Sequence, residues 1–314
     1  MIIENVYTHI DHFTSNDLYI FTIGYEHRSF YLYDYVIDHF EASNIFVFVL
    51  DDHTKYPHTE KKVAELRAKN IPFLEVNYAQ SVEVVSRILQ IVSDFSHNND
   101  SISVHVDYSS MPRSWYCRLP FLLQSKIRKE DKVYFWYSEG KYPTSYSEYP
   151  SSGIESFSLF AGKPSLQIDG NRFHIVALSY DIIRTQAILS ITDPSYLVTC
   201  IAYNTQQDDV LLSLKTANAP IISRAAMNLT LQLNDFSFMT SKLCELTNEL
   251  LLAGDVILIP DGPKPLIFAL SLVPDLVKKP GVVCLHVSRN NVHFEPVDVS
   301  ATGTVFGFRI SVEA

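Results

Sequence analysis

Short apolar runs alternate with amphipathic stretches along the chain, and this alternation is the strongest constraint on its fold. The runs LYIFTI (18–23) and IFVFVL (45–50) are rich in β-branched and aromatic residues and have the length of buried strands. Segments 29–40 and 59–70, which follow these runs, carry apolar residues at the spacing of surface helices. Strands that alternate with helices predict an α/β fold with a mostly parallel sheet and helices on both faces.

The alternation continues to residue 138. Strands are predicted at 71–78, 101–109 and 132–138, and helices at 81–96 and from about 112 to 128. The first half of the chain therefore has the order of elements of a Rossmann-like unit.

The second half repeats this order with similar spacing. Tyr25 and Asp107 lie at the carboxyl ends of the first and fourth predicted strands and are 82 positions apart. Tyr180 and Asp261 lie at the ends of the corresponding strands of the second half and are 81 positions apart. Matched order and spacing predict two Rossmann-like units that arose by internal duplication, and hence a shared strand order; two unrelated Rossmann-like domains are the alternative.

The domain boundary is predicted between residues 160 and 161. The stretch 141–171 is rich in turn-forming residues and suits a connection between a first domain, 1–160, and a second domain, 161–314. Segment 292–314 has closely spaced apolar residues, many Thr and Val, and Gly303 and Gly307 for turns or bulges. We expect it to add antiparallel strands to the second domain.

Composition excludes several classes of protein. A net charge of −10 opposes general attraction to nucleic-acid phosphates. Four widely separated cysteines without a CxxC pair suggest core thiols in a reducing compartment. No run approaches about 18 uninterrupted apolar residues, so no membrane association is predicted. We expect a soluble cytoplasmic protein.

Polar turns follow the predicted strands at the edge where open parallel sheets bind ligands. In the first unit they are GYEHRS (24–29), DDHTK (51–55) and DYSSMPR (107–113), and DGPKP (261–265) is the counterpart of the last in the second unit. The predicted ligand-binding residues are Gly24, Tyr25, Glu26, Arg28, Asp52, Asp107, Ser109, Ser110, Arg113, Asp261 and Lys264.

The turn before the predicted helix at 112 suits an anion. Pro112 fits a first helical turn, and Ser109 or Ser110 could cap it, which would leave backbone N–H groups facing a ligand. Arg113 or Arg28 would add a planar donor fork for phosphate or carboxylate. Tyr25 and Tyr108 offer rings that stack on a base.

A purely structural interpretation of the same turn also stands. In it, Asp107 and the serines only cap a helix, and Arg113 pairs with Glu26 at the surface. A similar choice applies to His105, which shares a strand face with Asp107 and is either an acid/base or metal partner or, more commonly, a core histidine.

No standard catalytic or cofactor motif is present. The chain lacks GxGxxG, GxxxxGK[ST], GxSxG and HExxH, so the standard dinucleotide, ATPase, hydrolase and zinc-protease interpretations lose their usual support and any cofactor is unknown. Asp51, Asp52, His53 and His58 are types that ligate divalent ions, but they lack a fixed ligand spacing, and no metal site is predicted there.

Two segments resemble a known family. The sequence VDYSSMPRSW followed by VYFWYSEGKY is similar to the ligand-facing segment of CARF-like Rossmann domains, which sense cyclic oligonucleotides in prokaryotic antiviral systems. The combination of GYEHRS, DYSSMPR and the later SYDIIRTQA also resembles uncharacterised bacterial proteins of defence islands. The resemblance implies a nucleotide or nucleotide-derivative ligand and a protein partner in a defence complex. SSMPR occupies the place of the glycine-rich turn usual in CARF-like domains.

Three classes of function are open at this point. The first is a nucleotide sensor, acting alone or as a subunit of an antiviral defence system. The second is an enzyme acting on a nucleotide, with Asp107, Glu26 or Asp52 as acid/base and Arg28 or Arg113 as the anion clamp. The third is an interaction subunit without a small ligand. Turnover of a nucleotide would separate the second class from the first.

Overall fold

The computed structural model describes residues 1–7, 10–40, 44–141, 151, 153–165, 170–204, 208–289 and 298–311. The chain divides into two compact units. Unit 1 comprises Met1–Pro143 and Pro296–Ala314, and unit 2 comprises Thr144–Glu295.

Strands and helices alternate along both units, as the sequence predicts. The strands are β1 (Ile2–Val6), β2 (Leu18–Ile23), β3 (Ile45–Leu50), β4 (Phe73–Val76), β5 (Ser103–Asp107), β6 (Lys132–Lys141), β7 (Phe157–Lys163), β8 (Asn171–Ala177), β9 (Tyr196–Tyr203), β10 (Met227–Gln232), β11 (Gly254–Ile259), β12 (Val282–Val287) and β13 (Ser300–Ser311). The helices are α1 (Arg28–His39), α2 (Pro57–Ala68), α3 (Ser81–His97), α4 (Arg113–Tyr116), α5 (Leu119–Gln124), α6 (Ile182–Thr192), α7 (Asp208–Ala217), α8 (Ala219–Ile222), α9 (Phe236–Leu250) and α10 (Lys264–Val277).

The two units have the same order of parallel strands. It is β6-β5-β2-β3-β4 in unit 1 and β12-β11-β8-β9-β10 in unit 2. The parallel strand that comes first in the chain, β2 or β8, therefore lies in the centre of its set. The order reverses between β2 and β5 and again between β8 and β11. The α/β fold with two Rossmann-like, mostly parallel sheets is confirmed, as is the shared strand order expected of a duplication.

Antiparallel strands complete the same edge of both sheets. β13 pairs with β6 and also with β1, whereas β7 pairs with β12. The strand that follows β6 in the chain thus belongs to the sheet of β12, and the strand that follows β12 belongs to the sheet of β6. The two units exchange their edge strands reciprocally.

This exchange corrects the predicted domain boundaries. A division between residues 160 and 161 would cut through β7, which is a strand of unit 2. Within the C-terminal segment 292–314, residues 300–311 form an antiparallel strand as predicted, and residues 292–297 and 312–314 lie outside the described residues. The strand pairs in unit 1, so its assignment to the second domain is wrong. Proximity in sequence suggested that assignment, whereas cross-strand packing decides the pairing: Phe308 stacks on Phe135 of β6 with ring centres 5.1 Å apart.

One of the two C-terminal glycines forms the predicted bulge. The β13–β6 register shifts between Ala301 and Val305, and Gly303 within that interval has a φ of +95°. Gly307 instead stays in register with Trp136, where a Cβ atom would lie 2.2 Å from the Phe135 carbonyl oxygen. Gly303 therefore supplies a backbone conformation, whereas Gly307 permits close approach of two strands.

The helix predicted from about 112 to 128 is interrupted. α4 is a single turn that ends at Tyr116, and α5 begins at Leu119 with Pro120 in its first turn. Pro120 has no N–H to donate to the Tyr116 carbonyl, so one continuous helix would lose a hydrogen bond at this point.

Other expectations from composition are met in part. Cys117, Cys200 and Cys284 are buried, and Cys244 is half-buried. Burial raises the pKa of the Cys200 thiol to about 12 and that of Cys244 to about 11. Among the residues that the structure describes, no helix has the length and apolar character needed to cross a membrane.

We expect Phe308→Ala to lower the free energy of unfolding by about 3–5 kcal/mol, because it would leave a cavity beside Phe135 in a packed core. Phe308 is 1% exposed. Urea denaturation followed by circular dichroism measures the change. Leu252→Ala is the control, since Leu252 is 88% exposed and its truncation should be nearly neutral. Equal effects of the two substitutions would contradict the pairing of β13 in this core.

His174 in β8 should make the protein acid-sensitive. Burial lowers the pKa of this histidine to about 4 from an ordinary value of 6.5. Between these values the unfolded chain binds a proton that the folded chain excludes, so stability falls as the pH drops from 6.5 toward 4. Between pH 7 and 4.5 we expect the wild type to lose roughly 2 kcal/mol more than His174→Gln. Urea denaturation at both pH values tests this, with His97→Gln, an exposed site, as control.

Candidate functional site

The loops after β2 and β5 lie side by side at the carboxyl edge of the first sheet, as predicted. The two strands are parallel neighbours, with Ile20 opposite Val106. Both loops are bonded to the end of β6: Arg28 Nη1 donates to the Tyr137 hydroxyl at 2.8 Å, and the Ser138 N–H donates to Ser109 Oγ at 2.7 Å. Hydrogen bonds therefore connect the carboxyl ends of β2, β5 and β6 at the point where the strand order reverses; this region is called the junction below.

Arg28 makes several of the hydrogen bonds at this junction. It is 2% exposed, its Nε donates to Glu26 Oε2 at 2.7 Å, and its guanidinium carbon lies 5.3 Å from the centre of the Tyr137 ring. Its backbone N–H donates to the Val299 carbonyl at 2.9 Å, which joins the start of α1 to the approach to β13. Arg28 is thus engaged within the fold by Glu26 and Tyr137, and its binding of a ligand anion stays a prediction.

Asp107 and Ser109 also have structural roles. Both are buried, and the Ser109 N–H donates to Asp107 Oδ1 at 2.8 Å. The predicted capping of a helix by Ser109 or Ser110 is wrong, because the residue before α4 is Pro112 and no side chain caps this turn. The Ser109 hydroxyl is bonded to β6 instead, and a single helical turn has little macrodipole to attract an anion.

Four predicted residues keep exposed surface at the junction. Tyr25, Glu26, Ser110 and Arg113 are all half-buried. The hydroxyl oxygen of Ser110 is buried and has no hydrogen-bond partner among the residues that the structure describes. Gly24, which precedes Tyr25, is buried, and its carbonyl accepts a hydrogen bond from Thr59 Oγ1 at 3.0 Å.

Asp52 lies farther along the same edge. It is exposed and follows β3, which is on the opposite side of β2 from β5. The sheet order therefore places Asp52 away from the junction of the β2 and β5 loops.

Unit 2 contains a second buried arginine at the same topological position. Arg184 in the first turn of α6 is 1% exposed, and its Nε donates to both carboxylate oxygens of Asp261 at 3.1 Å. Its Nη2 donates to the Val287 carbonyl at the end of β12 at 2.7 Å. Asp261 is 2% exposed and neutralises Arg184, and its role in ligand binding stays a prediction. Lys264 is half-buried at the start of α10.

The recurrence of these arginines strengthens the case for duplication. Arg28 and Arg184 both follow a Tyr and acid pair at the end of the central strand. Arg28 contacts β6, and Arg184 contacts the corresponding strand β12. The sequence carried the signal in GYEHR and SYDIIR. Its structural meaning was missed because burial of a guanidinium depends on what packs over it.

His105 is a core histidine. Its Nδ1 accepts from Trp136 Nε1 at 3.0 Å, which leaves the proton on Nε2 to donate to Asp17 at 3.2 Å. Tyr19 and Tyr134 stack on its ring at 5.0 and 4.8 Å. Burial lowers the pKa of His105 below its ordinary value, and Asp17 offsets this only in part.

A cluster of metal-ligating residues was missed by the sequence analysis. His27 Nδ1 lies 2.5 Å from Asp298 Oδ2, and the His27 and His58 rings stack with their centres 4.2 Å apart. Burial alone would raise the pKa of Asp298, but hydrogen bonds from His27 and the nearby histidine rings outweigh it and hold the pKa below its ordinary value. The Asp298 carboxylate comes from a segment 271 positions away from His27, so no local spacing could indicate the cluster.

Comparisons with known proteins identify no family. No family model and no curated protein matches the chain. Among solved structures, a universal stress protein from Archaeoglobus fulgidus DSM 4304 is similar at 11% identity, covering 87% of this chain and 97% of that chain, with a TM-score of 0.23. A TM-score this low carries no argument about function.

We expect Arg184→Ala to destabilise the protein by about 3–5 kcal/mol, because it leaves the buried Asp261 carboxylate without its counter-charge. Lys242→Ala is the control: it removes a surface pair with Glu245 in the same unit, for which about 0–1 kcal/mol is expected. Urea denaturation compares the two. A loss for Arg184→Ala no larger than the control would show that the Arg184–Asp261 contact is not essential to unit 2.

Proposed function

We propose that the protein binds a nucleotide or nucleotide derivative at the carboxyl edge of the first sheet. The observation that carries this proposal is the reversal of strand order between β2 and β5, where the polar loops of both strands meet. Ligands of open α/β sheets bind at such reversals because the loops diverge there and leave a crevice.

The chemistry of the half-buried residues suits the parts of a nucleotide. The Arg113 guanidinium offers a planar set of donors to a phosphate, and the Ser110 hydroxyl adds a further donor or acceptor. The Tyr25 ring offers an apolar face to a base. Gly24 at the strand end is the position where a ligand could approach the backbone closely.

Unit 2 repeats this arrangement with a lysine. Lys264 begins α10 after β11, as Arg113 begins α4 after β5. Tyr180 is half-buried and follows β8 as Tyr25 follows β2. The proposal therefore extends to a second site, and the number of nucleotides bound per chain tests that extension.

Binding without turnover is the better supported of the two nucleotide hypotheses. Asp107 is buried and accepts the Ser109 N–H, and Glu26 accepts a charged hydrogen bond from Arg28. Two of the three candidate acid/base groups are thus engaged in holding the junction together. The resemblance to CARF-like domains extends the proposal to sensing of cyclic oligonucleotides in a defence complex.

Thermal denaturation with a panel of mononucleotides, dinucleotides and cyclic oligonucleotides tests the proposal. A ligand present at a hundred times its Kd stabilises the folded state by about 2.7 kcal/mol, which raises Tm measurably. We expect Arg113→Ala to weaken binding at least tenfold, because a hydrogen bond to a charged group contributes about 1.5–3 kcal/mol. Tm without ligand should change little.

Arg118→Ala is the matched control, since Arg118 is exposed and lies five positions from Arg113. It should bind the ligand as the wild type does. Failure of the whole panel to raise Tm would contradict the proposal. Loss of Tm in Arg113→Ala with unchanged affinity per folded molecule would show that the residue is structural, and release of a hydrolysed product would favour the enzyme.

A further inference from the structure

Three metal-ligating side chains converge next to the loop that carries Tyr25. His27 lies between β2 and α1, His58 lies in the first turn of α2, and Asp298 lies just before β13. One ligand atom from each residue lies within 4.8 Å of the other two. Three separate segments of the chain therefore place two imidazoles and a carboxylate around one point.

We propose that His27, His58 and Asp298 form a binding site for a divalent transition-metal ion, with Zn²⁺ as the ion that fits best. Two imidazole nitrogens and one carboxylate oxygen are a donor set that Zn²⁺ and its first-row neighbours prefer, whereas Mg²⁺ and Ca²⁺ prefer oxygen donors alone. Three protein ligands leave one tetrahedral position for water or a substrate atom.

The distances fit a site that closes around an ion. Bonds of about 2.0–2.1 Å in a tetrahedron put neighbouring ligand atoms roughly 3.3 Å apart. The separation of 2.5 Å between His27 and Asp298 is shorter than this, and the 4.8 Å limit is longer. Side-chain movements of about 1 Å reconcile them, and His27 and Asp298, with side chains 51% exposed, have room to make them.

Hydrogen bonds to backbone groups orient two of the ligands. His58 Nε2 contacts the Tyr25 carbonyl, and if it carries the proton there, Nδ1 is left with the lone pair that a metal needs. The second oxygen of Asp298 accepts the backbone N–H of His27 at 3.0 Å. Metal-binding histidines commonly donate their other ring N–H to a carbonyl or carboxylate, as His58 would to Tyr25, and this raises affinity for the metal.

Hydrogen bonds between the start of α1 and residues 298–299, which precede β13, hold Asp298 in place. The Arg28 N–H donates to the Val299 carbonyl, one residue after Asp298, and the His27 N–H donates to Asp298 itself. Consecutive backbone bonds thus hold the carboxylate over the start of α1. This geometry does not depend on a nucleotide, so the metal site stands independently of the proposed function.

Calorimetric titration of the metal-free full chain with Zn²⁺ alone tests the proposal. We expect one strong site per chain, and we expect His27→Ala, His58→Ala and Asp298→Asn each to weaken it at least tenfold. Co²⁺ is the spectroscopic probe, because its visible absorption distinguishes a tetrahedral site with nitrogen donors from the hydrated ion. The three variants should lose that absorption.

His39→Ala and His97→Ala are the matched controls. Both residues are exposed histidines of the same unit, and the ring of each contacts a backbone carbonyl of its own helix. Binding that survives in these controls and is lost in the three variants, each confirmed as folded by circular dichroism, supports the site. Absence of stoichiometric Zn²⁺ binding, or equal losses in the controls, would show that His27 and Asp298 form only a surface ion pair. Nucleotide binding by a variant that has lost Zn²⁺ would separate the two proposals.

Discussion

Each unit is organised around a buried guanidinium at the start of its first helix. A charge removed from water must be neutralised and hydrogen-bonded where it lies, so its surroundings are held to one arrangement. Arg28 bonds Glu26 and Tyr137, and Arg184 bonds Asp261 and the end of β12. In both units these hydrogen bonds connect the loop after the central strand to β6 or to its counterpart β12, across the point where the strand order reverses.

The exchange of edge strands adds a constraint of long range. β13 completes the sheet of β6 although β12 precedes it in the chain, and β7 completes the sheet of β12 although it follows β6. Gly140 shows how closely the edge is packed, since a Cβ atom there would lie 2.4 Å from Val299 and 2.8 Å from Arg28. The approach to β13 thus closes over the buried arginine, and the same segment supplies Asp298.

The two proposed sites lie on consecutive residues of one loop. Gly24 and Tyr25 belong to the proposed nucleotide site and His27 to the proposed metal site, and the buried Arg28 bonds this segment to β6. A metal ion bound by His27, His58 and Asp298 would add positive charge to this loop, which would favour an anionic ligand. The buried hydrogen bonds of Arg28 would hold the residues of this loop at fixed positions.

The sequence by itself determined the α/β class, the strands β2 and β3 to the residue, the repeated order of elements and the placement of polar loops at the carboxyl edge. These features follow from local periodicity and from turn chemistry, which neighbouring residues decide. Tertiary structure alone decided which polar residues remain accessible. Arg28, Asp107 and Ser109 look like ligand groups in sequence, but all three are buried. Arg28 and Ser109 are bonded to β6, and Asp107 accepts the Ser109 N–H. It also decided the partner of β13 and the meeting of His27 with Asp298, because pairing between distant segments depends on surface complementarity that no local pattern records.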